Sequence, residues 1–187
     1  MKSVRVLALA STVLALCAFS VPANANSLTS PKGTTYTSTI KGESEGAVTF
    51  TSVFGGFGAI SCKKSTFEGK VETHGSSVEA GGSLSSMTYS ECTGGGPVTV
   101  LVKGTFRIHR IFLPKITLKI KETIIHATLF GTCVFNAENN GGTLTTTEQT
   151  GGAATIDLSA TLTSPCGNAT MEGAYKVVTP STLYVDE

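Results

Sequence analysis

Over most of its length the chain alternates apolar and polar residues at a period of two, and that pattern leaves little besides antiparallel sheet. In "ATIDLSATLT", Ile156, Leu158, Ala160 and Leu162 fall on one parity, and Thr155, Asp157, Ser159 and Thr161 on the other. "GAVTFTSVF" sets Val48 and Phe50 against Thr49 and Thr51. "STFEGKVET" sets Phe67 and Val71 against Thr66, Glu68, Lys70 and Glu72. "PVTVLVKGTFRIH" places Val98, Val100, Val102, Phe106 and Ile108 on one expected face. Successive side chains of a strand point to opposite sides of its sheet, so each run predicts one buried and one wet face. No segment sustains the 3.6-residue period of a helix. A helix over Ser76–Met87 is opposed by its glycines and serines.

Glycine clusters fall between the alternating runs. Gly55-Gly56, Gly81-Gly82, Gly94-Gly95-Gly96, Gly141-Gly142 and Gly151-Gly152 read as hairpin punctuation, because tight turns need positive φ. The spacing predicts roughly ten to twelve short strands in an antiparallel β-sandwich or flattened barrel.

The N-terminus reads as a secretory signal peptide. Lys2 and Arg5 give a positive start, "VLALASTVLALCAF" an apolar middle, and Ala23-Asn24-Ala25 a small-x-small cleavage site. Residues 1–25 are therefore expected to be removed, leaving 26–187 as one β domain. Cys17 is assigned to the discarded peptide, because Leu16 before it is large for a lipidation site. Losing Lys2 and Arg5 takes the balance of 14 Lys and Arg against 13 Asp and Glu to a net charge near −1. That total provides no long-range attraction to nucleic acid.

Four of the five cysteines then remain: Cys62, Cys92, Cys133 and Cys166. An even number in an exported chain predicts two disulfides. Three pairings are open. Cys62–Cys92 with Cys133–Cys166 is preferred, since each closes a loop of about 30 residues within one half of the chain and contributes about 3–4 kcal/mol in the chain-entropy view. A zinc site is disfavoured because no two cysteines form a close pair. The halves share a further likeness: "GTFRI" follows the second cysteine of the first half, and "GAYKV" follows that of the second.

Catalytic patterns are missing from the sequence. His74, His109 and His126 have no nucleophile beside them in sequence, and no G-x-S-x-G elbow or H-E-x-x-H occurs. Glu91, Glu122, Asp157 and Glu172 are the candidate carboxylates for a glycosidase-like pair, but their spacing selects none. "TGGGPVTV" leads into a strand, whereas a phosphate loop leads into a helix. No cofactor, metal or catalytic residue is expected.

The exception to this sparse charge is "KGTFRIHRIFLPKITLKIKE", Lys103 to Glu122. Parity puts Lys103, Arg107 and His109 on the outer face of one strand. It puts Lys115, Lys119 and Lys121 on that of the next, with Arg110 to Pro114 as the connection. If the strands pair, the cations share one surface while the rest of the chain is net acidic. Such a surface attracts anionic polymers or lipid headgroups, more weakly as salt rises. Two structural readings compete with binding. Lysines protect exposed sheet edges, and cross-strand acids can neutralise a basic row.

The cysteine couples Cys62/Cys92 and Cys133/Cys166, the run "SCKKSTFEGKV" and the ending "YKVVTPSTLYV" (175–185) together resemble a loose group of uncharacterised secreted bacterial two-disulfide all-β proteins. That resemblance implies an exported all-β domain and transfers no functional residue. The expectation is a non-enzymatic secreted or envelope-associated protein of structural or binding type. A small apolar ligand carrier and an unrecognised secreted hydrolase are the alternatives.

Overall fold

Val48, Phe50, Ile156, Leu158, Ala160 and Leu162 are all buried, while Thr51, Asp157, Ser159 and Thr161 are exposed. The period-two pattern thus becomes an inside and an outside. The structure is a computed structural model, and it describes residues 27–52, 59–72, 80–94, 98–112, 115–128, 132–137, 140–165 and 167–186. The expected leader, residues 1–25, lies outside the described residues.

The strands are β1 (Ser27–Thr29), β2 (Thr39–Ser44), β3 (Val48–Ser52), β4 (Ile60–Glu72), β5 (Ala80–Thr93) and β6 (Val98–Phe112). Then come β7 (Lys115–Thr128), β8 (Thr132–Ala137), β9 (Asn140–Thr145), β10 (Thr155–Thr163), β11 (Ala169–Thr179) and β12 (Tyr184–Asp186). A single helical turn, α1 (Thr147–Thr150), separates β9 from β10.

All pairings are antiparallel, and they close on themselves. β2 and β3 both lie between β4 and β11, so they are two halves of one stave. β8 and β9 both lie between β7 and β10 and form another. The ring then runs β2/β3, β4, β5, β6, β7, β8/β9, β10, β11 and back to β2/β3. This is an eight-stave up-and-down barrel, so of the two expected architectures the barrel is the one formed. Closure removes the exposed edges that an open sheet would present.

Among the described residues the interior is mainly apolar, and Tyr175 makes a buried polar contact within it. Tyr175 is 1% exposed and its hydroxyl lies 2.9 Å from Ser65 Oγ, itself buried. Satisfying both hydroxyls avoids the cost of a buried unpaired group. Phe67 packs edge-on to Tyr175, with ring centroids 5.6 Å apart. Phe67 also covers Gly42 across the β2–β4 ladder, where a Cβ would stand 2.2 Å from the ring. Gly82 answers a different need: a Cβ there would fall 2.0 Å from the Lys70 carbonyl oxygen.

One rim is capped by the chain ends. β1 and β12 form a separate two-stranded ladder with Ser27 opposite Asp186. Leu28 and Leu183 are fully buried beneath it. Leu183 is fixed to α1 in both directions: its N–H donates to Thr147 Oγ1 at 2.8 Å, and the Thr147 N–H donates to its carbonyl at 2.9 Å. Asp186 accepts from Thr29 Oγ1 and the Gly33 N–H, at 2.7 and 2.8 Å.

Three expectations change in detail. Residues 80–93 are strand β5, so the weak helical alternative over Ser76–Met87 does not form there. β6 runs on to Phe112, so Arg110 pairs with Ile116 and does not open the connection. The run Val98–Ile108 also does not keep one face. Between Val102↔Thr123 and Thr105↔Lys121, Lys103 and Gly104 together face the single residue Glu122. This bulge inserts one residue and shifts the register, so Val98, Val100 and Val102 fall on the row of Thr105 and Arg107, not that of Phe106 and Ile108.

The likeness between the halves has a structural counterpart. "GTFRI" lies in the fourth stave of the first half and "GAYKV" in the fourth stave of the second. Gly104 is opposite Leu84, and Gly173 is opposite Leu158. Ile108 is opposite Ala80, and the Val177 N–H donates to the Ala154 carbonyl at 2.8 Å. Phe106 and Tyr175 are the buried aromatic of each.

Leu162 is 1% exposed on β10, between β8 and β11. Leu162→Ala is expected to lower stability by about 2–5 kcal/mol, through lost burial and the cavity left behind. Chemical denaturation of the oxidised protein measures this. A loss under about 1 kcal/mol would contradict a packed interior at that position.

Candidate functional site

The basic stretch forms a hairpin in the barrel wall. Arg107 is directly opposite Lys119, Thr105 opposite Lys121 and His109 opposite Thr117. Arg107 and Thr105 are exposed while Phe106 and Ile108 are buried, and Lys119 and Lys121 are the register partners of the exposed pair. Lys115 has the same parity on β7, opposite Phe112 beyond a second register shift. Arg110 falls on the other parity, with Ile108. Lys103 sits in the bulge facing Glu122. The side chains of Lys103, His109, Arg110, Lys115, Lys119 and Lys121 lie outside the described set.

One competing explanation of this row loses ground. β6 and β7 are internal staves of a closed ring, so edge protection does not apply to them. Among the described residues, Glu122 opposite the Lys103 bulge is an acid of the kind expected across the ladder. Elsewhere the row reads Gly81, Arg107, Lys119, Gly141 across β5, β6, β7 and β9. Like charges placed directly opposite cost stability in a ladder.

The same row continues into the acidic side. From Gly141 it passes to Ser159 on β10, Glu172 on β11 and Thr49 on β3. The adjoining outer row carries Thr143, Asp157 and Ala174. Between the two rows lies an open trough of about 640 Å³, floored by the backbone of Gly142, Leu158 and Gly173 and walled by Asp157, Glu172 and hydroxyls. Asp157 and Glu172 were two of four carboxylates that spacing could not sort; pairing of β10 with β11 brings them together as diagonal neighbours. Both are exposed. Glu91 instead pairs with Lys64, which lowers the pKa of the carboxyl and raises that of the amine.

Cys62 and Cys92 form a disulfide between directly opposite residues of β4 and β5. Cys133 lies on β8, opposite Ala127. The proposed partner, Cys166, is outside the described residues, as is the Cys133 side chain. The β8–β10 ladder matches Ala137 with Leu162 and Asn136 with Thr163. With Cys62 bonded to Cys92, two bridges require Cys133 to join Cys166. A non-reduced peptide map is therefore expected to give Cys62–Cys92 and Cys133–Cys166, and crossed pairs would contradict the Cys62–Cys92 bridge.

Inside the barrel, a cavity of about 50 Å³ lies among Ile40, Phe67, Phe106, Leu144, Ile156 and Tyr175. A benzene-sized site needs about 150 Å³. Among the described residues no group of three His, Cys, Asp or Glu converges to hold a metal, and no helix is long and apolar enough to cross a membrane. Tyr89 donates toward the sulfurs of Met87 and Met171, 3.2 Å from each.

Compared with protein-family models, curated proteins and solved structures, the chain matches none. Fold and surface define it as a closed antiparallel barrel with a disulfide and a charge-sorted outer wall.

Burial pushes the Tyr89 hydroxyl well above its ordinary pKa of 10.0, with Tyr175 adding to the effect. Burial raises Tyr175 too, partly offset by its contacts with Ser65 and Tyr89. A folded pKa above the unfolded one favours the fold fully below about pH 10. The contribution then declines as pH rises through the raised folded values. Tyrosinate absorbance is thus expected to show a late component that coincides with alkaline unfolding and shrinks in Tyr175→Phe. An unchanged component in that variant would remove Tyr175 from it.

Proposed function

We propose that the protein is a secreted, non-enzymatic binding barrel of the extracellular space or cell envelope, contacting anionic polymers through the outer row of β6 and β7. The observation that carries this is Arg107 opposite Lys119, beside Lys121, on internal staves of a closed wall. Cations gathered on neighbouring strands attract an anionic polymer through their summed field. Export agrees with the Cys62–Cys92 disulfide, since such bonds persist in oxidising compartments.

The alternatives have less behind them. A carrier requires more interior space than about 50 Å³. A hydrolase using Asp157 and Glu172 requires an acid and a base in distinct environments, and both carboxylates are exposed on an open trough.

Lys119→Gln with Lys121→Gln tests the proposal. Retention on an anionic polymer column at low salt is expected to fall, while stability stays within about 0.5 kcal/mol or rises. Retention equal to that of the unaltered protein at low salt would dismiss anion binding by this row.

A further inference from the structure

Beyond the initiator the chain carries two methionines, Met87 on β5 and Met171 on β11. β4 and the β2/β3 stave separate those strands in the wall, yet inside the barrel both sulfurs reach one point. Each lies 3.2 Å from the Tyr89 hydroxyl, so the two sulfurs are no further apart than twice that distance. Met87 is 6% exposed and Met171 3%. Phe50 is directly opposite Met171, and its ring packs edge-on to Tyr89 with centroids 5.0 Å apart.

A hydroxyl has one proton to donate, whereas both thioethers have lone pairs to give. The Tyr89 proton therefore marks a place where positive charge meets two soft, neutral donors. Thioethers select soft cations such as Cu(I), while calcium and magnesium seek oxygen. We propose that Met87 and Met171 form a buried site for one soft monovalent cation, Cu(I) or its analogue Ag(I). The cation takes the place of the Tyr89 proton between the sulfurs. Tyr89 stays protonated, and its hydroxyl turns toward that of Tyr175, with which it already interacts. The cavity of about 50 Å³ is lined by Met87 and Tyr175, so this turn has room. The rings of Phe50 and Tyr89 offset part of the cost of burying a cation. Spacing along the chain does not reveal the site, because its ligands are uncharged and lie on strands distant in sequence. It lies inside the barrel and does not depend on polymer binding by the outer wall.

The test is titration of the oxidised protein, with any free thiol alkylated, by silver nitrate in chloride-free buffer. Isotope-labelled methionine methyl groups report it by nuclear magnetic resonance, so silver held by histidines elsewhere does not register. One equivalent is expected to move both the Met87 and the Met171 signal and to raise the unfolding temperature. Met87→Leu and Met171→Leu nearly conserve volume, so both variants are expected to fold. Each is expected to weaken silver binding about tenfold or more. Tyr89→Phe removes the competing proton and is expected to hold or strengthen binding. Zinc and calcium are expected to leave both signals in place. A titration that moves neither signal, or only one, overturns the proposal. So does a stabilisation by silver that the double variant Met87→Leu/Met171→Leu keeps in full, or a tenfold loss in Tyr89→Phe, which would put the cation on oxygen.

Discussion

The barrel depends on one closing seam. β11 pairs with β2 over Tyr175–Thr179 and with β3 over Ala169–Glu172, and the same two short strands pair with β4 on their other side. Without that seam the sheet is open, with β4 and β11 as edges and one face of apolar side chains exposed to water. With it, every stave has two neighbours and a single interior. The Ser65–Tyr175 contact ties β4 to β11 from inside, across the interrupted stave. Local pattern decides which residues face inward, but the long-range seam gives inward a meaning.

Alternation alone foretold the buried rows of β3 and β10, because parity is a local property and these strands are regular. It failed at Val98–Val102. The extra residue of a bulge belongs to pairing with a neighbour, and one strand's sequence carries no count of its partner's residues. Glycine clusters were a poorer guide: Gly81-Gly82 and Gly141-Gly142, expected as turns, lie inside β5 and β9, paired with their neighbours. Closure was not legible, because it depends on how far each hairpin is staggered. Of the candidate site, Arg107 is exposed and the ladder sets it opposite Lys119. Arg110 lies in the ladder opposite Ile116, because β6 runs three residues into the expected connection. The Asp157–Glu172 neighbourhood was hidden because diagonal placement depends on register within the β10–β11 hairpin.

Cations concentrate on β6 and β7 in the sequence, while β10 and β11 carry Asp157, Glu172 and Lys176. Ion pairs such as Lys41–Glu68 and Lys64–Glu91 serve exposed stretches between β2, β4 and β5.

The clasp over the rim has a mechanical side. Ser27 and Asp186 are directly opposed in an antiparallel pair, and the chain leaves both residues at the same end of that pair. Tension applied through those two points loads the ladder one rung at a time, as a zip is opened. The three rungs of the clasp would part in sequence, uncovering Leu28 and Leu183 before any load reached the barrel. A load applied through both Ser27 and Asp186 would thus meet a mechanical fuse.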